Sequence, residues 1–294
     1  MYEKIESCPV CSNNKFTNEI ICNDYSISNE QFVIVRCDHC KFLLTNPRPL
    51  PDRLSSYYES DNYVSHSNKA NNIINLAYKI ARYFTLRSKH KLIQKCSNKD
   101  NSLLDYGCGT GSFLTFCKNK GWKVAGIEPN EKARKIASND SSIRIEQKLE
   151  HLDPKDSYAI ITLWHVLEHI PDLNNALEKI ATKLSKKGTL IIAVPNPESW
   201  DAQHYKKYWA GYDVPRHLYH FTQSSVKQLM KNHKLKVKNI VPMKLDSYYV
   251  SLLSETYSKS KNKYFKALLN GYKSNSYARK NNNNYSSLIY IVQK

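Results

Sequence analysis

The stretch Leu103-Leu104-Asp105-Tyr106-Gly107-Cys108-Gly109-Thr110-Gly111-Ser112-Phe113-Leu114 limits the possible folds more than any other part of the chain. An apolar run closes on an acid, three glycines follow at alternate positions, and an apolar segment resumes. This reads as a buried strand, a tight turn and the start of a helix. Side-chain-free positions let the backbone bend sharply and approach a ligand, and the first N–H groups of the helix have no partner inside it. A ligand with polar or anionic groups is expected at the turn. A dinucleotide fingerprint would need glycine at 107, 109 and 112, but position 112 is Ser; a phosphate loop would need Lys followed by Ser or Thr after its last glycine.

From residue 102 strands and helices alternate. Strands are expected at 102–105, 123–127, 143–146, 158–164 and 189–194, with helices over 112–120, around Ala133, Ile136 and Ala137, and along Leu173, Leu177, Ile180, Ala181 and Leu184 up to Lys187-Gly188. Such alternation implies an α/β fold with a mostly parallel sheet covered on both faces, its site along the carboxyl ends of the strands. Beyond 200 the chain departs from this rhythm. A helix over 223–233, a strand over 237–245, a Lys-, Asn- and Tyr-rich helical insertion over about 251–284 and a last strand over 287–292 are expected.

Ahead of the sheet, Cys8-Pro9-Val10-Cys11 and Cys37-Asp38-His39-Cys40 form two C-x-x-C pairs. Four thiolates suit tetrahedral zinc in a closed structural site. About 45 residues bury too little to fold unaided, so residues 1–50 are expected to be a small zinc-ribbon-like module, with His39 solvated. The prolines of Thr45–Pro51 end it. Residues 51–100 then provide a linker with Tyr58 and Tyr63 as lid candidates. A helix over 73–95 carries Ile73, Ala77, Ile80, Ala81 and Phe84 on one face and Lys79, Arg82, Arg87, Lys89 and Lys91 on the other. That basic face is expected to be solvated, with an acidic or membrane surface as the other reading.

The D-x-G-x-G-x-G form of Asp105–Gly111 resembles the first motif of class I S-adenosylmethionine-dependent methyltransferases. Glu128, at the tip of the second strand, suits the two ribose hydroxyls, although dinucleotide enzymes use the same position. The run Leu163-Trp164-His165-Val166-Leu167-Glu168-His169 resembles the segment after the fourth strand in ubiquinone-biosynthesis O-methylases. Residues 1–50 resemble a module that precedes some bacterial sugar methyltransferases, and Asp213–Phe221 is similar to a segment of such relatives. The resemblance implies a Rossmann-like sheet with its last strand antiparallel, occupying 101–294. It also implies S-adenosylmethionine bound by Asp105, Gly107, Cys108, Gly109, Gly111, Glu128, Pro129, Leu149, Leu163, Trp164 and His165, with Gln147 near the adenine.

The reaction expected is methyl transfer to a small-molecule acceptor, such as a hydroxyl of a sugar or quinol. His165, His169, His217 and His220 are base candidates because imidazole titrates near neutral pH. His169 is favoured, with Glu168 orienting it and Arg216 holding an anionic substrate group. His165–His169 also fits H-x-x-E-H, the inverted zinc-peptidase pattern, but that site needs a continuous helix and Pro171 interrupts one. The net charge of +18, from 44 basic and 26 acidic residues, keeps an RNA- or protein-modifying methyltransferase open as the alternative, along with a non-catalytic cofactor-binding protein. The basic residues are spread along the chain, so nucleic acid is not favoured. No apolar run of about 18 residues occurs and the first residues have no apolar signal region, so a cytoplasmic location is expected.

Overall fold

In the computed structural model, which describes residues 2–58, 72–97, 100–140 and 142–294 with backbone alone over 72–81, the apolar run before the glycines is strand β6 (Ser102–Tyr106). It pairs in parallel with β7 (Lys123–Ile127) on one side and β9 (Tyr158–Trp164) on the other. β7 pairs in parallel with β8 (Arg144–Glu146). With β10 (Leu184–Pro195), β12 (Lys236–Pro242) and β13 (Ser287–Gln293) these form a seven-stranded sheet of order β12-β13-β10-β9-β6-β7-β8. The sheet is mostly parallel, with its last strands antiparallel. The chain runs outward from β6 through β7 to β8, then returns to β9 on the other side of β6. The strand order therefore reverses where β6 ends, the position at which α/β sheets leave a crevice for a ligand.

The central strands form because their residues are apolar on both faces. Leu103, Leu104, Ile160, Ile161, Leu163 and Ile191 are buried, as expected for strands covered on two sides. Helix α1 (Asn72–Cys96) leads into β6, and the crossovers are α2 (Ser112–Lys118), α3 (Glu131–Ala137) and α4 (Leu173–Lys183). The expected stop at Lys187-Gly188 is not where α4 ends. The helix finishes at Lys183 and β10 begins at once, taking Gly188 into the strand. On the basic face of α1, Arg82, Arg87 and Lys91 are exposed as expected, with Arg82 donating to Ser112, while Lys89 is half-buried with its ammonium 4.4 Å from the Trp164 ring centroid. Phe84, expected to face inward, is exposed. Tyr63 and the side chains of Ile73, Ala77, Lys79, Ile80 and Ala81 lie outside the described residues.

Compact packing divides the chain into Met1–Glu59 with His165–Asn174 and Ile192–Val292, and Ser60–Trp164 with Asn175–Ile191 and Gln293–Lys294. Boundaries at 50 and 100 do not match this division. In the first unit β1 (Tyr2–Glu3) pairs antiparallel with β5 (Arg48–Pro49), and β2 (Phe16–Asn23), β3 (Gln31–Cys37) and β4 (Leu43–Thr45) are joined by β11 (Tyr219–His220) in one antiparallel sheet of order β11-β4-β3-β2. Cys22, Phe32 and Ile34 share a core with Tyr205, Trp209, Tyr212 and Val214. So short a segment lacks apolar area for its own core, and residues from the far end of the chain supply it. The rest of this unit includes α5 (Trp200–Tyr205), α6 (Gln223–Asn232), α7 (Asp246–Tyr257) and α8 (Lys263–Ala278).

Candidate cofactor and acceptor sites

Gly107, Gly109 and Gly111 all have positive φ, at 76°, 56° and 75°, a region that side chains enter only at a cost. The turn is tied to the next strand, because the N–H groups of Gly107 and Cys108 both donate to the Ile127 carbonyl, at 2.7 and 3.0 Å. Gly126 allows this approach: a Cβ there would lie 2.7 Å from Cys108 Sγ. A Cβ at Gly109 would meet nothing within 4 Å, so open space lies over the middle of the turn. Cys108 itself is buried, which pushes its thiol pKa up.

Glu128 follows β7 and holds two backbone segments together. One carboxylate oxygen accepts the Gly109 N–H at 2.8 Å and the other accepts the Asn130 N–H at 2.8 Å. Burial raises its pKa despite these bonds. Asn130 in turn caps α3 through Ala133 N, and Pro129 between them is exposed. Asp105 plays a part other than the expected ligand contact. It is buried, it accepts the Thr162 hydroxyl at 2.6 Å, and so it links β6 to β9 across the sheet. Burial raises its pKa to about 6, outweighing the Thr162 bond. After β8, Leu149 is buried and Gln147 exposed. At the end of β9, Leu163 is buried and the Trp164 ring packs on Phe113; the Trp164 Nε1–H is buried without a hydrogen-bond partner among the described residues. An acid at the second strand tip, open space over Gly109 and an orphaned indole donor together fit a nucleoside ligand with polar substituents.

The first unit holds the four candidate histidines, His165, His169, His217 and His220. His165 has φ 57° and donates its backbone N–H to the Ala193 carbonyl. Its ring lies between two carboxylates, with Nε2 3.1 Å from Asp246 Oδ2 and Nδ1 3.3 Å from Glu168 Oε1. Burial alone would lower its pKa, but Asp246 and Glu168 raise it to about 10. His165 is therefore a cation at neutral pH and cannot be the base. Glu168 faces His165, so it does not orient His169 as expected. Glu168 is 0 % exposed, and apart from the ion pair with His165 neither carboxylate oxygen has a hydrogen-bond partner among the described residues.

His169 Nδ1 is 2.9 Å from the Arg216 carbonyl and 2.9 Å from the Tyr58 hydroxyl. A carbonyl can only accept, so Nδ1 carries the proton and Nε2 keeps its lone pair. Burial, assisted by His217, lowers the His169 pKa to about 4, leaving the ring neutral. His217 packs edge-on at 4.6 Å between ring centroids and donates Nδ1–H to the Gly211 carbonyl at 2.9 Å. Glu168, His169 and His217 each bring one potential ligand atom within 4.8 Å of the others. The cluster can take up a proton or a cation. The peptidase arrangement is not formed, because Leu167–His169 is a single 3₁₀ turn and His165 is committed to its carboxylates. His220 is buried in β11, with Nε2 3.2 Å from Thr45 Oγ1, a structural position.

Arg216 is not available to a substrate anion. It is 2 % exposed, its fork meets Asp213 at 3.0 and 2.7 Å and Asp24 at 2.8 Å, and its third nitrogen donates to the Tyr57 carbonyl. Burial raises the pKa of both acids, but the Arg216 charge more than reverses this and lowers them. Asp24 and Asp246 have no local sequence signal; only the fold brings them to Arg216 and His165.

The four module cysteines do come together. Cys8 and Cys40 sulfurs are 3.5 Å apart, as are those of Cys11 and Cys37, and all four lie within 4.8 Å. That is too long for a disulfide, whereas zinc bonds of about 2.3 Å give tetrahedral edges of about 3.8 Å. The two knuckles repeat one geometry: Ser12 N donates to the Cys8 carbonyl and Lys41 N to the Cys37 carbonyl, and both donors have positive φ. Such turns aim backbone N–H groups at sulfur; those of Val10 and Cys11 reach Cys8. His39 is exposed.

The sequence profile of the methyltransferase domain matches residues 77–239, more than half of the chain. The chain belongs to this methyltransferase family. The methyltransferase is 29% identical over 100 residues to a ubiquinone biosynthesis O-methyltransferase of Rhodopseudomonas palustris (strain TIE-1) and 27% identical to one of Bradyrhizobium diazoefficiens. Each match covers 32% of this chain and 40% of the relative, so the chain spans well under half the length of the curated relatives it matches. A magnesium protoporphyrin IX methyltransferase from Synechocystis PCC 6803, solved with bound SAH, shares the fold at a TM-score of 0.51 and 14% identity, over 81% of this chain and 97% of that one.

Proposed function

We propose that the chain is an S-adenosylmethionine-dependent methyltransferase acting on a hydroxyl of a small molecule. The observation that carries the reading is the pairing of Glu128 with the glycine turn: one carboxylate fixes the Gly109 N–H while space stays open above that residue. When bound, S-adenosylmethionine supplies a methyl group already activated by sulfonium. Glu128 would accept the ribose hydroxyls, and the Trp164 N–H, without a partner among the described residues, would donate to the cofactor's polar groups. Leu149 and Leu163 supply apolar lining, and Gly107 and Gly111 keep the turn tight.

His169 is the residue that would take the acceptor hydroxyl's proton, at Nε2, as the methyl leaves the sulfonium sulfur, released as a thioether, for the acceptor oxygen. His169 is neutral, its tautomer is set by the Arg216 carbonyl, and the Glu168 carboxylate, one oxygen of which pairs with His165, would stabilise positive charge on the ring. Holding the reactants in line can supply about 7–11 kcal/mol of the barrier. Cys8, Cys11, Cys37 and Cys40 would hold a structural zinc with no part in the transfer. Incubation with methyl-labelled S-adenosylmethionine and fractionated cell extract tests the reading. Label in a low-molecular-weight hydroxyl compound supports it; label confined to RNA or protein overturns it in favour of the macromolecular alternative.

A further inference from the structure

Helix α8 is packed inside out. Its buried side is Ala267, Asn270, Gly271, Ser274, Asn275 and Ala278, small or polar residues held by hydrogen bonds. Asn270 donates to the Tyr205 hydroxyl and to Glu255, Ser274 donates to Asp201, and Asn275 donates to the Lys244 carbonyl. Gly271 allows the close approach to α7, since a Cβ there would lie 2.5 Å from the Tyr248 ring. The outward side carries Tyr264, Phe265, Leu268, Leu269 and Tyr272, and four of these are at least 62 % exposed: 62 %, 69 %, 63 % and 63 % for Tyr264, Phe265, Leu268 and Tyr272. At 100° per residue these five fall on one contiguous arc, with Lys266 and Lys273 along its edge. Scattered apolar residues on a surface mean little, but a contiguous row on one helix marks a contact surface.

Charge identifies the partner. Between Ser258 and Lys280 there are seven basic residues and no acidic one. A second copy would set the same positive face against itself, whereas an anionic surface is complementary. Beside the helix lies an open groove of about 520 Å³ lined by Lys261, Lys266, Ser258 and Ser260, among others. Its acid, Glu255, is engaged by Tyr205 and Asn270. No described helix is long and apolar enough to cross a membrane, so α8 would lie flat rather than span. We propose that α8 docks the protein on an anionic lipid bilayer, with Phe265 and Leu268 entering the acyl boundary and the lysines meeting phosphate headgroups.

Sedimentation of the full chain with vesicles tests this without cofactor or acceptor, so it is read independently of methyl transfer. The chain should pellet with phosphatidylcholine–phosphatidylglycerol vesicles and not with phosphatidylcholine alone, and added salt should release it. The exposed pair Phe265→Ser/Leu268→Ser should bind about a hundredfold more weakly, roughly tenfold per side chain. Lys266→Ala should weaken binding about fivefold. Both variants should keep the circular dichroism of the parent, because neither side chain set is part of the core. Absence of pelleting, equal binding to neutral vesicles, or an unchanged Phe265→Ser/Leu268→Ser variant overturns the proposal. So does a concentration-dependent dimer that this pair abolishes in a chain that ignores vesicles.

Discussion

Gly109→Val separates the ligand role of the turn from its folding role. The residue sits at φ +56°, and a Cβ there would have no neighbour within 4 Å. The folded state therefore loses only the conformational cost of a side chain in the left-handed region, about 1–2 kcal/mol and somewhat more for a β-branched residue. The new methyls instead fill the space over the turn, and S-adenosylhomocysteine should bind at least about a hundredfold more weakly, near 3 kcal/mol. Gly121→Val is the matched control. Gly121 has φ +84° and is equally free of neighbours, but it lies in the turn between α2 and β7. It should show the same loss of stability in urea and unchanged affinity by calorimetry. Parent-like affinity in Gly109→Val, or an equal loss in Gly121→Val, would refute the assignment.

Arg216→Ala leaves Asp24 and Asp213 as unpaired buried carboxylates and should cost about 3–5 kcal/mol in urea unfolding; a stable variant with a raised KM would restore Arg216 as a substrate contact. One equivalent of zinc is expected by elemental analysis. Cys11→Ser or chelation should release it and loosen the β2–β4 sheet in hydrogen exchange, while a metal-free, fully protected chain would contradict a structural zinc site. His169→Ala should lower kcat by about 10²–10⁴ with cofactor affinity intact. In the parent, kcat/KM should stay level above the His169 pKa of about 4 and fall as pH drops through it, since protonation removes the base. Full activity of His169→Ala would exclude it.

Local chemistry made the sheet legible. The glycine turn, the two-sided apolar strands and the cysteine pairs are signals within a few residues of one another, and each formed as expected. What failed depended on tertiary partners. Arg216 read as a substrate clamp because Asp24, far away in sequence, was not a visible partner. Glu168 read as the neighbour of His169 because they are adjacent in the chain, yet the 3₁₀ turn sends its carboxylate to His165. The expected helix stop at Gly188 gave way to the apolar run that follows, which draws the chain into β10 five residues earlier than its glycine suggests. In α8 the helical tendency was legible but not the outward direction of its apolar side, which is set by the hydrogen bonds of Asn270, Ser274 and Asn275.

The central claim is that the Asp105–Gly111 turn and Glu128 form an S-adenosylmethionine site. Titration of the chain with S-adenosylhomocysteine, NAD and ATP in parallel tests it most directly. The account predicts saturable one-site binding of S-adenosylhomocysteine that Glu128→Ala abolishes, with no heat from NAD or ATP. Binding of NAD in its place, or no binding of S-adenosylhomocysteine by a folded chain, would contradict it.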